Sequence, residues 1–294
     1  MTLSLSLFLL FQTIKTSISI QLDVHLPLST NSSSCIYQIA LEANKNLNQW
    51  SSSQHTNEQI HFRENSGKDL LTNITQIPHT TLFLTDYSVE NISSKASERQ
   101  GSNGVNNTKL NDLIKATSDA ICHTFADFSS RHYYNAMIKE SVVSGSYAMY
   151  RIQVDDQLQK LSNDIVQFTQ PFVKRNQSIP QWVNDIGDDQ IRKKKIDYVK
   201  RYGSPNVFDE FDPHVTVGYD DYNGIKSDDK NLQRGRILNH LPWKNCGGWI
   251  DEVRIGLVGK YGTVIGVPLA SLKFDECGDK IFHASTRASS TTWW

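Results

Sequence analysis

Two stretches of the sequence decide the fold: IPHTTLFLT at 77–85 and, far along the chain, DPHVTVGY at 212–219. Each has a proline, a histidine, any residue and a threonine, and each continues into residues that favour β-strands. Side chains two residues apart in a strand face the same side, so each stretch should present one imidazole and one hydroxyl together. If two halves of the chain bring these faces together, four polar side chains converge on one space.

These residue types suit chemistry at a phosphate. Cleaving a phosphodiester needs one group that takes a proton from the attacking oxygen and one that gives a proton to the leaving oxygen, and an imidazole with a pKa of about 6.5 can do either. His79 and His214 are the candidates for these roles. The hydroxyls of Thr81 and Thr216 can hydrogen-bond the non-bridging oxygens. Such a scheme needs no metal ion and no cofactor.

The bare histidine-x-threonine or histidine-x-serine pattern is not specific. His283 and Ser285 form a third match in a polar stretch without strand character, and we discount it. The two main stretches differ from this match because both have the proline and a β-prone continuation. The alternative interpretation is that His79 and His214 only satisfy hydrogen bonds at the edge of a sheet.

The paired motifs resemble those of the two-histidine (2H) phosphoesterase superfamily, which includes RNA 2′,5′-ligase-like proteins and cyclic nucleotide phosphodiesterases. The similarity extends over residues 19–274, where EVRIGLVGKYG at 252–262 resembles the closing strands of the family. The resemblance implies an α/β (α+β) fold that is bilobal and pseudo-symmetric. Each lobe would be an antiparallel-rich sheet with flanking helices, with the motifs on central strands and the cleft between the lobes.

The resemblance also implies roles for the motif residues. His79 and His214 would be the acid/base pair, and Thr81 and Thr216 would hold the phosphate. The two histidines are 135 residues apart, which is a long separation for this family. The stretch 88–107 and a basic helix at 190–202 are therefore candidate insertions that shape the cleft. This departure bears on the substrate more than on the chemistry.

Hydrophobic periodicity predicts alternating strands and helices. Residues 19–28 alternate apolar and polar side chains like a half-buried strand, and residues 36–50 place their apolar side chains on one helical face. We expect a β-hairpin that turns at Gly145. The other predicted elements are helices at 109–128, 156–168, 190–202 and 231–241, strands at 214–219, 252–259 and 263–274, and an exposed loop at 88–107.

Composition excludes some classes of protein. The chain has 294 residues, of which 38% are hydrophobic and 21% charged, so it can bury a sizeable core and is not expected to be disordered. Thirty basic and 31 acidic residues nearly cancel, so a general electrostatic field cannot recruit a nucleic acid or an anionic membrane. Any anion site must be local.

The N-terminus has the features of a signal peptide. An apolar run at 3–11 is followed by Ser17 and Ser19 at the spacing of a cleavage site, although no Lys or Arg precedes the run. A buried first strand is the alternative, and the run is too short to span a bilayer. We divide the chain into a signal peptide at 1–19, one two-lobed domain at 20–280 and a polar tail at 281–294. We expect a monomer that is secreted or resides in the secretory-pathway lumen, without a membrane anchor.

Cysteines and glycosylation sequons agree with this location. The four cysteines lack C-x-x-C spacing, which disfavours zinc and favours two disulfides, with three possible pairings of Cys35, Cys122, Cys246 and Cys277. Sequons occur at Asn31, Asn73, Asn91, Asn106 and Asn176, although a chain so rich in Asn, Ser and Thr forms several by chance.

Two tyrosines are candidate substrate-binding residues. Strict alternation would turn Tyr219 away from His214, but a bulge at Gly218 could bring the ring round to stack on a base. Tyr87, after the first motif, has the same ambiguity. For both residues the alternative is packing within the sheet.

Clusters of charge have simpler interpretations. The acidic pairs at 155–156, 188–189 and 220–221 lack the spacing of a calcium loop, and we assign them to turns and helix caps. The basic residues at 192–195, 200 and 201 point around a helix, so we interpret them as a solvated face rather than a nucleic-acid site.

Together these features predict a metal-independent phosphodiesterase that acts on RNA ends, 2′,3′-cyclic phosphates, or 2′,5′-linked or other small nucleotides. One alternative is a secreted module of the same fold that binds nucleotides or phosphorylated sugars without turnover. A second alternative is a metal-dependent hydrolase that uses the histidines as ligands. The intact His and Thr in both motifs favour the enzyme, because a binding module does not need two proton-transfer groups.

Overall fold

The computed structural model describes residues 19–28, 34–53, 58, 60, 62, 77–88, 108–126, 133–220 and 228–277. The strands are β1 Ile20–Pro27, β2 His79–Tyr87, β3 Tyr134–Ser144, β4 Tyr147–Ile152, β5 His214–Tyr219, β6 Gly247–Ile250, β7 Glu252–Val258 and β8 Val264–Lys273. The helices are α1 Cys35–Ser53, α2 Thr108–Ala126, α3 Asp156–Thr169, α4 Gln181–Asn184, α5 Asp189–Tyr202 and α6 Asp228–His240.

The strands form two antiparallel sheets of four. Their orders are β2-β1-β7-β8 and β5-β4-β3-β6. The expected antiparallel-rich sheets with flanking helices are therefore confirmed. Each motif strand, β2 or β5, is the edge strand of its own sheet rather than a central one, and the two edges contact each other. The motifs thus lie at the edges of their sheets, where the two sheets meet.

Two helices, α1 and α3, pack against the sheet opposite to the one that contains the strand before them. Helix α1 follows β1 of the first sheet but packs against β5 and β6 of the second, whereas α3 follows β4 of the second sheet but packs against β2 of the first. The apolar face predicted for α1 is buried: Ile36, Ile39, Ala40, Ala43 and Leu47. This exchange ties the two sheets together. None of the described helices is long and apolar enough to cross a membrane.

Local signals in the sequence account for several element ends. Asp155 and Asp188 cap α3 and α5 by accepting hydrogen bonds from the first backbone amides, as predicted. Gly203 ends α5 with a φ of 78°, where a side chain would collide with Gln177 and Thr85. Gly145 turns the predicted hairpin with a φ of 55°.

Two disulfides select one of the three possible pairings. Cys35 at the start of α1 joins Cys246 just before β6, and Cys122 in α2 joins Cys277 after β8. Each bond closes a loop of more than 150 residues, with sequence separations of 211 and 155. Loops of this length give a disulfide a large entropic effect on the unfolded chain.

Some expectations fall outside the described residues. These are the signal peptide up to residue 18, residues 89–107 of the predicted loop, the tail at 281–294 and the sequons at Asn31, Asn73, Asn91 and Asn106. Asn176 is described and exposed. The structure also contains two short elements that were not predicted, strand β6 and helix α4.

A buried ion pair supports the back of β5. Arg234 of α6 and Glu58 are both about 1% exposed in their side chains, and Nε of Arg234 lies 2.8 Å from the Glu58 carboxylate. The arginine also donates a 3.1 Å hydrogen bond to the carbonyl of Ser146 in the hairpin turn. The backbone of Glu58 in turn forms an antiparallel β-bridge with that of Asp220, which directly follows β5. Removing one partner would leave a buried charge without compensation.

We expect Arg234→Met to lower the free energy of unfolding by about 3–5 kcal/mol, because the Glu58 carboxylate would remain buried without its cation. Urea unfolding followed by circular dichroism measures this change. Lys115→Met removes an exposed ion pair with Asp119 and should leave the midpoint unchanged. Equal midpoints for the wild type and both variants would contradict the assigned role of the buried pair.

Candidate active site

A cleft of about 770 Å³ is bordered by residues of both sheets, at the edges where β2 and β5 meet. Its walls include His79 and Thr81 from β2 and His214 and Thr216 from β5. The four motif side chains thus come from different sheets but border one space. This volume lies within the range of about 300–1,000 Å³ that small-molecule sites occupy.

Both motif strands have a β-bulge at the same position. The register of β2 with β1 skips Leu82, and the register of β5 with β4 skips Val217. Each is the third residue after the motif histidine. The bulge interrupts the alternation, so two consecutive side chains are buried and the next one faces the cleft. That next residue is Leu84 in β2 and Tyr219 in β5.

Each motif imidazole is oriented by its own backbone. Nδ1 of His79 lies 2.8 Å from the carbonyl oxygen of Ile77, and Nδ1 of His214 lies 2.8 Å from that of Asp212. A carbonyl oxygen can only accept, so Nδ1 carries a hydrogen in both rings. Nε2 is therefore the nitrogen that gains or loses a proton.

His79 has a carboxylate partner that the sequence analysis missed. Asp23 of β1 is fully buried, and its Oδ2 lies 3.2 Å from Nε2 of His79. The same oxygen accepts a 2.7 Å hydrogen bond from the hydroxyl of Thr81. Burial lowers the pKa of His79, but the hydrogen bond and the charge of Asp23 outweigh burial, and the pKa is raised overall. The protonated form of His79 is favoured.

His214 has different surroundings. Burial lowers the pKa of His214, and the hydrogen bond to the backbone of Asp212 only partly offsets this effect. The charge of His79 acts in the same direction as burial. The carboxylate of Asp212 forms an ion pair with Nε of Arg151 at 3.1 Å. The neutral form of His214 is therefore favoured.

A third histidine lies behind the first motif. His25 of β1 is 2% exposed, and its ring meets that of His79 edge-on with 5.0 Å between ring centres. Burial lowers the pKa of His25 to about 4, which keeps this ring neutral. His25 does not line the cleft. We assign it to packing behind His79.

Three tyrosines form an aromatic wall of the cleft. Tyr219 stacks on Tyr261 with 4.1 Å between ring centres, and Tyr147 meets Tyr219 edge-on at 4.8 Å. The bulge at Val217 therefore brings Tyr219 to the face of His214, as the sequence suggested. Tyr261 lies in the turn between β7 and β8, so the stacked pair joins the two sheets.

Tyr87 does not contact the cleft, and the expectation that it binds substrate is corrected. Its side chain is fully buried, its hydroxyl lies 3.4 Å from that of Thr169, and its ring packs edge-on against Phe83. The bulge at Leu82 explains the difference, because it gives Leu84 the position in β2 that Tyr219 has in β5.

A buried amide from α1 supports the second motif. Asn44 is 3% exposed, and its side chain donates hydrogen bonds of 2.8 Å to the carbonyl of Val217 and 2.7 Å to that of Ile60. Val217 is the bulged residue, whose carbonyl leaves the regular ladder. The helix that follows β1 thus supports the bulge that turns Tyr219 into the cleft. Asn44 was not predicted from the sequence to support the site.

The basic helix is only partly a solvated face. Lys193 and Lys200 are exposed, as predicted. Lys195 is 9% exposed and lies 3.1 Å from Glu210, which also contacts Lys194 at 2.9 Å. The prediction was wrong for Lys195, because the helix packs on the segment that leads into β5.

The arrangement supplies the groups that a displacement at phosphorus requires. The cleft holds one imidazole that favours its protonated form, one that favours its neutral form, and two hydroxyls. Within the described ranges, no group of three or more His, Cys, Asp or Glu side chains is placed to hold a metal ion.

Comparisons with known proteins gave structural neighbours only. No protein-family model matches the sequence, and no curated protein is significantly similar to it. Usb1 of Kluyveromyces marxianus, solved with uridine monophosphate, is 11% identical with a TM-score of 0.41, over 86% of this chain and 97% of that one. LigT of E. coli with 3′-AMP is 11% identical with a TM-score of 0.37, over 87% and 98% of the chains. A structure described as a phosphoesterase is 11% identical with a TM-score of 0.35, over 87% and 98%.

Proposed function

We propose that this protein is a phosphodiesterase of the 2H type, which cleaves a phosphodiester or opens a cyclic phosphate by two-histidine acid/base catalysis. One observation carries the proposal. His79, Thr81, His214 and Thr216 come from two different sheets, yet border one cleft, and both imidazoles are oriented with Nε2 as the titrating nitrogen. Packing alone does not require the same constellation twice at one cleft.

The reaction on a 2′,3′-cyclic phosphate illustrates the chemistry. One imidazole accepts a proton from water through Nε2, and the water oxygen forms a bond to phosphorus. The bond between phosphorus and one ribose oxygen breaks, and the other imidazole donates its Nε2 proton to that oxygen. The product is a nucleoside phosphomonoester, and solvent restores the two imidazoles. The Thr216 hydroxyl stabilises the charge on the non-bridging oxygens, and the Thr81 hydroxyl does so when its hydrogen turns from Asp23 to the substrate.

The substrate class follows from the cleft. Tyrosine faces suit a nucleobase, because stacking of a base on an aromatic ring contributes about 1–3 kcal/mol. Tyr219, Tyr147 and Tyr261 lie along the same cleft as both motifs. We therefore propose RNA ends, 2′,3′-cyclic phosphates, or 2′,5′-linked and other small nucleotides as substrates.

We also infer that the protein works in the secretory pathway or outside the cell. All four cysteines are in disulfides, which persist in oxidising compartments, and the sequence begins with an apolar run. Expression in a secretory host should give medium containing a chain that begins at residue 20. Retention of residues 1–19 in the secreted chain would contradict the leader assignment.

We expect His79→Ala and His214→Ala each to lower kcat/KM by about 100-fold or more, because each removes a proton-transfer group. The measurement uses purified protein with a panel of 2′,3′-cyclic nucleotides and 2′,5′- and 3′,5′-linked dinucleotides, with identification of the phosphomonoester product.

His240→Ala is the matched control, since His240 lies at the end of α6 and does not line the cleft. The same assays in EDTA test the metal-dependent alternative, and we expect unchanged rates. Wild-type rates in both histidine variants, or a loss in EDTA that zinc restores, would contradict the mechanism. Tight binding of the panel without turnover would favour the binding module.

We expect Tyr219→Ala to raise the KM of nucleotide substrates about 5- to 100-fold, because a base would lose its stacking surface. Glycerol 1,2-cyclic phosphate has no base, so its kinetics should change little. Tyr87→Phe is the control, because its hydroxyl contacts only the core. Equal effects of Tyr219→Ala on substrates with and without a base would contradict the stacking role.

A further inference from the structure

The two motifs share the geometry of their strands but differ in the strand beside them. Both have the same bulge, and both fix Nδ1 on a carbonyl two residues earlier. After the bulge, the next residue that faces the cleft is Leu84 in β2 and Tyr219 in β5. The strand paired with each of them carries a different residue at the opposite position. In β1 this position is Asp23, opposite Leu84, and in β4 it is Tyr147, opposite Tyr219. Only the first motif has a carboxylate at this position.

The carboxylate is placed to fix a proton on His79. Oδ2 of Asp23 lies 3.2 Å from Nε2, and this oxygen already accepts from the hydroxyl of Thr81. An unprotonated Nε2 would face Oδ2 with two lone pairs opposed, whereas a proton on Nε2 gives a charge-assisted hydrogen bond. Asp23 is fully buried, and its Oδ1 has no hydrogen-bond partner among the residues described. A buried carboxylate that is ionised needs a cation beside it.

We propose that Asp23 is a positioning residue that keeps His79 doubly protonated, so that His79 is the proton donor and His214 the proton acceptor. This inference rests on the proposed function for its catalytic part and deepens it by assigning the two roles. In the reaction on a cyclic phosphate, His214 takes the proton of water, the phosphorus–oxygen bond to the ribose breaks, and His79 protonates the released oxygen. The substrate oxygen competes with Oδ2 for the Nε2 hydrogen.

Other charged groups near the two imidazoles do not reverse the assignment. His25, whose ring meets that of His79, is kept neutral by burial, and Arg254 of β7, which acts on His25, has its guanidinium 2.5 Å from Glu252. The groups that act on His214 are Asp212, Arg151 and His79. Asp212 and Arg151 pair with each other, so their charges largely cancel at His214. The pKa of His79 is raised and that of His214 lowered, in agreement with the geometry.

The test compares pH profiles of kcat/KM for the wild type and Asp23→Asn, with a panel substrate that the wild type turns over. Activity should rise as His214 loses its proton and fall at higher pH as His79 loses its proton. Without the carboxylate charge, the alkaline limb should move to lower pH by about one unit or more, while the acidic limb stays in place. At pH values above the wild-type alkaline limb, a shift of one unit corresponds to a loss of about tenfold.

Asp164→Asn is the matched control, because Asp164 is also a buried carboxylate that contacts a histidine, His123, at 2.9 Å outside the cleft. It should leave both limbs unchanged. A loss of activity in Asp23→Asn with no movement of the alkaline limb would overturn the proposal and leave Asp23 with a structural role.

Side-chain NMR of the histidines provides a readout that needs no substrate. In the wild type, His79 should titrate above about 6.5 and His214 below it. Asp23→Asn should lower the pKa of His79. The reverse order in the wild type, or an unchanged pKa of His79 in a folded Asp23→Asn variant, would overturn the proposal. If the wild type cleaves nothing in the panel but His79 titrates as expected, the phosphodiesterase function fails while the charge assignment stands.

Discussion

The contact between the edge strands β2 and β5 is the constraint on which the rest of the molecule depends. Each sheet supplies half of the cleft, so neither half has a site without the other. Edge strands expose backbone groups and normally need protection. Here each of α1 and α3 packs against the sheet that it does not follow in sequence, and the stacked rings of Tyr219 and Tyr261 join the two sheets. These contacts keep the two edge strands beside each other. The bulges at Leu82 and Val217 then turn the side chains of Leu84 and Tyr219 toward the cleft.

Buried polar groups hold this arrangement in place. Asn44 satisfies the carbonyl of a bulged residue, the Arg234–Glu58 pair supports the strand end behind the cleft, and Asp23 links His79 to Thr81. Such groups cost free energy unless each is paired, so they specify one geometry more strictly than apolar packing does. The bulges cost regular strand pairing. They also decide which residue is the third to face the cleft, Leu84 in β2 and Tyr219 in β5.

The sequence predicted much of the fold but only part of the site. Periodicity identified most strands and every described α-helix except the short α4, and the spacing of two residues in a strand placed His79 with Thr81 and His214 with Thr216. Asp23 and Asn44 were missed because their roles depend on which strand or helix packs beside each motif, and sequence spacing carries no such information. Asp23 and His25 had the polar positions expected of a half-buried strand, but both side chains are buried behind the first motif. Tyr87 was misplaced because the sequence does not show that the bulge of β2 falls at Leu82.

The central claim is that both motifs serve one phosphate. The most direct test is a titration with uridine 3′-monophosphate, followed by NMR of the Nε2 resonances of His79 and His214. The account predicts that both resonances shift together, with one dissociation constant and one nucleotide per chain. A shift of only one histidine, or two shifts with separate dissociation constants, would contradict it.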